Sequence, residues 1–319
     1  MQIKSLIFLF LTLVAFNSLA SEDAKLFTSE SFSTEISLGT LTGKTKERVY
    51  APVEGGRKIS QLDWKYNNAV FIKGSASMDL KSRISVSASG WITLDSQKGN
   101  MVDTDWLDVR NPGRWTEESR HPDTHLNYAN EFDLNVKGWI LNEADYRLGV
   151  MAGYQESRYS FNAKGGSYIY SSDAENNIYD RGDIGTFSAD KKLIGYKQIF
   201  RIPYIGLTSL YRYKSFELGT VLKYSAWVQG KDNDEHYSRN ITFRDKVSDQ
   251  YYYSVALKAG YFITPDAKVF VEGAWNRITN NKGDTVTYDR SDNTHFYSKN
   301  TAAIEGYNIM ALAGFMYRF

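Results

Sequence analysis

The 319-residue chain has no cysteine and only 5 prolines, and beyond residue 20 it has no apolar run long enough to cross a bilayer as a helix. The lack of cysteine excludes a disulfide framework and a thiol nucleophile. The lack of apolar helices means that any membrane span must be built from strands. Nor does one charge dominate: 38 Lys and Arg stand against 37 Asp and Glu, so no bulk field attracts nucleic acid. Histidine is scarce as well, with only His121, His125, His236 and His295.

What is present points to export and to a membrane. Lys4 precedes an apolar stretch from Leu6 to Phe16, and Ser18-Leu19-Ala20 supplies the small residues of a signal-peptidase site, so residues 1–20 read as a removed signal peptide and the mature chain starts near Ser21. Removing it takes away Lys4, leaving 37 basic residues against 37 acidic ones. The rest is rich in aromatics, with 23 Tyr, 17 Phe and 7 Trp. An exported, aromatic-rich chain without apolar helices fits a transmembrane β-barrel, whose strands need only alternate.

The C-terminal stretch YNIMALAGFMYRF tests that reading. Tyr307, Ile309, Ala311, Ala313, Phe315, Tyr317 and Phe319 form one uninterrupted lipid-compatible face, and the final aromatic residue is typical of bacterial outer-membrane barrels. Ten such segments recur, near 33–50, 58–78, 83–97, 122–142, 144–163, 192–212, 215–230, 250–263, 267–280 and 304–319. The fold class is therefore all-β, a ten-stranded antiparallel barrel of the bacterial outer membrane formed by one domain, residues 21–319. The connections 79–82, 142–145, 213–214 and 264–266 are tight, which assigns them to the periplasm. The connections 51–57, 98–121, 164–191, 231–249 and 281–303 are mostly long, which assigns them to the extracellular side.

Chemistry concentrates in two of the long connections. In KDNDEHY, Asp234 and His236 share a face of an extended chain, about 6 to 7 Å apart. At that range a carboxylate can orient an imidazole and stabilise its protonated form, as a general base requires. Asp103 and Asp105 in NMVDTDWLD repeat the spacing, and the two pairs can meet only across a barrel mouth. Along β-residues 216–228 the even positions Phe216, Leu218, Leu222, Tyr224 and Val228 look outward, and that phase would also turn Asp232, Asp234 and His236 outward. A one-residue bulge near Gly230 restores the inward direction.

The segments LGTLTGKTKERVY (38–50), GGRKISQLDWK (55–65), MVDTDW (101–106), RHPDTHLNYANEFDLNVKGW (120–139), GYQESRYSF (153–161) and DNDEHY (232–237) resemble those of the omptins, outer-membrane proteases of enteric bacteria. The likeness runs over essentially the whole mature chain. It implies an omptin-type aspartyl endopeptidase whose extracellular groove cuts polypeptides between paired basic residues. By match of motif, Asp234 and His236 are the Asp/His dyad, and Asp103 and Asp105 are the facing pair. Glu47 and Asp232 line the pocket for the residue before the cut. On the outer wall Tyr154, Glu156, Arg158 and Arg201 hold lipopolysaccharide, the activating lipid; no other cofactor and no metal is implied.

Other readings are open to the residues. Glu47 in KTKERVY also reads as a rim residue paired with Lys44 or Lys46. Ser119 near His121 could serve a serine hydrolase, but no G-x-S-x-G elbow occurs and neighbouring residues of a strand point apart. A non-enzymatic adhesin or invasin barrel would explain the architecture equally well. A passive pore is disfavoured because ten strands enclose little open lumen.

Overall fold

The computed structural model describes residues 31–53, 56–81 and 83–319. The signal peptide expected at residues 1–20 lies outside the described residues. Twelve strands follow one another: β1 (Phe32–Tyr50), β2 (Lys58–Lys81), β3 (Ile84–Thr93), β4 (Gln97–Asp105), β5 (Glu117–Asn142), β6 (Tyr146–Tyr170), β7 (Asp183–Tyr213), β8 (Phe216–His236), β9 (Ile241–Phe262), β10 (Ala267–Ile278), β11 (Gly283–Asp289) and β12 (Thr294–Arg318). β3 and β4 both pair with β2, and β10 and β11 both pair with β9. Each couple is one stave in two pieces, so the twelve strands make a ring of ten. All pairings are antiparallel, and β1 closes the ring on β12 from Ser33↔Arg318 to Val49↔Ala302.

Period-two alternation decides which residues face lipid. On β6 the exposed Tyr146, Leu148 and Val150 alternate with the buried Arg147, Gly149 and Met151. Side chains such as Ile36, Leu38, Ile205, Leu207, Leu257 and Ile309 stand out from the wall as an apolar belt. Exposed aromatics bound that belt: Tyr146, Tyr211, Tyr213, Phe216 and Phe319 near the tight turns, and Tyr154, Tyr224, Tyr253, Trp275 and Tyr307 further along. Such girdles mark the two bilayer interfaces. The turn between β7 and β8 is tight enough to hold Lys214 at φ 55°.

At the end away from the tight turns, the strands run far past the upper girdle. Strands of 19 to 31 residues such as β1 and β7 exceed the roughly 9–11 residues that a bilayer requires. Most of the connections expected to be long loops are therefore strand. Among the described residues of these connections, 51–53, 56–57, 106–116, 171–182, 237–240, 281–282 and 290–293 lie outside named strands. The cause is that above the belt both faces are polar, so pairing continues without the alternation that reveals it.

The phase change on β8 exists, but earlier than Gly230. Register shifts against β9 fall between Ser225 and Val228 and between Val228 and Gly230. Trp227 is exposed and Val228 is fully buried, against the outward position expected for Val228. From Val228 onward the even residues point inward, carrying Asp232 and Asp234 with them.

Two layers fill the lumen within and just above the belt. The lower one is ionic, with Lys258 Nζ 2.8 Å from Glu35, Lys73 Nζ 2.9 Å from Glu272 and Lys223 Nζ 2.6 Å from Asp133. These pairs surround a cavity of about 310 Å³. Above it lies an aromatic layer in which Trp64 stacks on Tyr196 at 5.2 Å and tilts on Phe161 at 5.4 Å, with Tyr66 and Tyr159 beside them. Phe200, Ile202, Leu41 and Met101 close the remaining gaps and are almost wholly buried. Large rings contribute most per side chain to such a core, and truncating one to alanine costs about 3–5 kcal/mol. The layer occupies the space that a passive pore would need.

Candidate active site

The mouth above the aromatic layer is walled by β1, β4, β5, β7, β8 and β9. Asp103 and Asp105 lie on β4, where Asp103 pairs with Leu62 on one side and Ser119 on the other. Ser60 donates from β2 to Asp103 Oδ1 at 3.3 Å. Burial pushes the Asp103 carboxyl well above the ordinary carboxylate range, the neighbouring Asp105 charge pushes it further, and Arg239 and Ser60 oppose both. Asp105 is raised by burial too, with Ser60, Arg239 and His236 acting the other way. Two such close carboxyls share protons, and a protonated one is a hydrogen-bond donor.

Asp234 and His236 end β8 and face the same mouth. His236 Nε2–H donates to Asp234 Oδ2 at 2.7 Å. The other nitrogen, Nδ1, accepts from the Arg239 guanidinium at 2.7 Å. Those two bonds set the tautomer of the neutral ring: the proton sits on Nε2 and the lone pair on Nδ1. Phe243 packs edge-on to the imidazole at 5.4 Å and fixes its plane. Asp234 is 1 % exposed, and its Oδ1 has no hydrogen-bond donor among the described residues. Asp234 acts on the ionisation of Asp103 and His236 on that of Asp105, so the two pairs share one acidic site.

Glu47 is buried and is not paired with Lys44 or Lys46 at the rim. Its neighbours point away from it: Lys46 and Arg48 both reach Glu305, at 3.3 and 2.8 Å, and Lys44 reaches Asp63 at 2.9 Å. Glu47 itself is 1 % exposed. Asp232 faces it from β8, its Oδ2 accepting the Tyr196 hydroxyl at 3.0 Å and its Oδ1 the backbone N–H of Asp245 at 3.1 Å. The aromatic layer thus holds Asp232 in place through one of its own hydroxyls. Burial raises both carboxyls, and Asp234 adds to Glu47 what Asp245 adds to Asp232. Asp245 on β9 was not a candidate from sequence, yet one oxygen of each of the three carboxylates lies within 4.8 Å of the others. An all-oxygen set of this kind suits a hard cation or a basic side chain and lacks the nitrogen or sulfur donors zinc favours.

Ser119 and His121 also meet here. They are two residues apart and so share a face of β5, contrary to the objection raised from sequence, and Ser119 Oγ lies 2.9 Å from His121 Nε2. His121 Nδ1 bonds the Gly165 carbonyl at 2.6 Å, and Phe187 stacks on the ring at 5.5 Å. Burial lowers the basicity of this imidazole, and among the described residues no carboxylate orients it. His125 sits outside the cluster, paired with Asp123 at 2.9 Å, and His295 lies on β12 opposite Tyr288.

On the outer wall, level with the upper girdle, Glu156 joins two arginines. Arg158 Nε donates to it at 2.8 Å and Arg201 Nε at 3.2 Å, while Tyr154 lies at 3.5 Å. Both guanidinium groups remain about half exposed. Ile199 sits directly opposite Arg158 across the β6–β7 ladder, and Lys197 is exposed two residues away.

A closed ring with an apolar belt and a titratable cluster at one mouth defines an outer-membrane β-barrel with chemistry at one end. The Omptin family profile matches residues 28–319, and the chain belongs to that family. It is 61% identical over 321 residues to Protease 7 of Escherichia coli K12, covering both chains completely. To the outer membrane protease OmpP of the same organism it is 60% identical over 319 residues, again covering both. The plasminogen activator of Yersinia pestis shares 44% identity over 95% of this chain and 94% of its own. The crystal structure of the outer membrane protease OmpT from Escherichia coli superposes with a TM-score of 0.88 at 62% identity, covering 94% of this chain and 100% of that one. The protein is accordingly an outer-membrane protease, a hydrolase acting on polypeptides.

Proposed function

We propose that the protein cuts exposed polypeptides on the outer side of the outer membrane, preferentially between paired basic residues, by water attack. The observation that carries this reading is the His236–Asp234 bond in a mouth shared with Asp103 and Asp105 and floored by Glu47 and Asp232. A water between the pairs gives a proton to His236 Nδ1 as its oxygen attacks the scissile carbonyl, and Asp234 stabilises the imidazolium that forms. The protonated member of the Asp103–Asp105 pair donates to the developing oxyanion. The imidazolium then returns the proton to the leaving amine. Arg239, exposed on the 237–239 turn, must leave Nδ1 for the base to work.

Glu47 and Asp232 bind the basic side chain before the cut, since a neutral one would leave buried charge unpaired. The exposed N–H groups of Arg158 and Arg201, spread by Glu156 and flanked by Tyr154, bind lipopolysaccharide phosphate and thereby activate the enzyme. Residues 1–20 are removed on export. No metal enters the mechanism, so cleavage persists in chelator. The test is cleavage of a fluorogenic Arg-Arg peptide by whole cells expressing the protein. Cells expressing His236→Ala at the same surface level should not cleave it; equal cleavage by both would sink the reading, as would a product cut away from the basic pair.

A further inference from the structure

Asp232 and Asp245 lie on the neighbouring strands β8 and β9, and Glu47 reaches them from β1 across the lumen. Glu47, Asp232 and Asp245 are 1 %, 8 % and 4 % exposed. Between the pairs Lys231↔Lys246 and Asp234↔Phe243 the β8–β9 register sets Asp232 opposite Asp245, a like-charge pair that a ladder disfavours. Among the described residues Glu47 Oε2 and Asp245 Oδ1 have no hydrogen-bond donor. None of the three carboxylates has an ion-pair partner among the described residues. A buried, uncompensated cluster of this kind is costly until a cation enters it.

Its spacing discriminates among cations. An ammonium nitrogen making three charge-assisted bonds of ~2.8 Å holds its three oxygens up to ~4.8 Å apart when it lies in their plane. The three carboxylate oxygens fall within that separation. A guanidinium instead binds through a planar fork, which two carboxylates can satisfy edge-on without a third. We propose that Asp245 is a specificity-determining residue: with Glu47 and Asp232 it forms a three-carboxylate seat for the lysine ammonium of the residue before the cut, and it admits lysine there beside arginine. The proposal rests on the pocket reading above and adds to it the third carboxylate and the choice it controls.

The test uses lipid-reconstituted protein and three internally quenched peptides that differ only in Arg, Lys or Gln before the cleaved bond. Asp245→Asn and Asp245→Ala both remove a buried carboxyl that faces two others, so both should fold, as strand content by circular dichroism checks. In each variant kcat/KM for the Lys peptide should fall about tenfold or more, while that for the Arg peptide changes less than about threefold. An unchanged Lys-to-Arg ratio in both variants overturns the role of Asp245 and leaves the pocket reading intact. A native enzyme that cleaves the Gln peptide as well as the other two overturns the pocket reading itself. Competitive inhibition of the native enzyme by calcium chloride that Asp245→Asn abolishes would overturn the lysine seat by assigning the three carboxylates to a metal.

Discussion

Replacing Asp234 with Asn separates the charge of the dyad from its geometry. The amide oxygen can still accept the Nε2–H that Asp234 Oδ2 accepts at 2.7 Å. On the proposed mechanism, what is lost is the negative charge beside the imidazolium that water attack would form. Charge centres about 4 Å apart at an effective dielectric near 20 attract by about 4 kcal/mol, equivalent to roughly a thousandfold in rate. His236→Ala removes the base outright and should cost about 10²–10⁴. Because both act through one proton transfer, the double variant should be no slower than His236→Ala alone. The assay is turnover of a quenched Arg-Arg peptide at saturating lipopolysaccharide, with strand content and heat-dependent gel mobility as folding controls. Turnover within about fivefold of native for folded Asp234→Asn, or losses that multiply in the double variant, would refute the dyad.

Asp103→Ala and Asp105→Ala should each lower kcat by more than they raise KM, because the contact to the oxyanion strengthens in the transition state; a change confined to KM would reassign both to substrate binding. Burial pushes the Asp245 carboxyl up to about 7 from an ordinary 3.8, so the folded, substrate-free protein keeps a proton that the unfolded chain has already released. Its contribution to stability is therefore present near pH 4 and is lost as the pH climbs through about 7, and unfolding midpoints of Asp245→Asn should show a shallower decline over that window. Protein refolded in detergent alone should be folded but nearly inactive until lipopolysaccharide is added. Arg158→Ala should raise the lipid concentration for half-activation and Ile199→Arg should lower it; unchanged curves for both would make the outer-wall charges ordinary rim residues.

The lipid-facing half of the barrel was legible because hydrocarbon on one side enforces a period of two, as in Tyr307 to Phe319 and Tyr146 to Val150. Above the belt that constraint ends. GNMVDTD and KDNDEH carry polar residues on both faces, so β4 and the last six residues of β8, 231–236, looked like loops although their ladders run on. Gly230 drew the phase change to itself because glycine suits a bulge, while the actual shift begins at Ser225, whose hydroxyl accepts the Trp227 backbone N–H at 3.1 Å. Asp103, Asp105, Asp234 and His236 were recognisable as pairs because i and i+2 share a face. Asp245 lay hidden in the charged run RDKVSD, and only the β8–β9 register sets it against Asp232. The interior rings Trp64, Phe161 and Tyr196 went unread for another reason: an aromatic-rich chain directs attention to its girdles, and nothing local tells an inward ring from an outward one.

The aromatic partition beneath the mouth also decides what shape of target the enzyme can take. With Trp64, Tyr196 and Phe161 packed across the bore, a polypeptide cannot thread through. It can only lie across the rim and let one or two side chains drop inward. A folded domain presents few stretches that lie flat and extended over several residues, whereas a slack loop or an unstructured tail does so readily. Two proteins carrying the same target sequence would then be cut at rates set by how easily each frees that stretch from its own fold, so local slackness in the target is selected as strongly as its sequence.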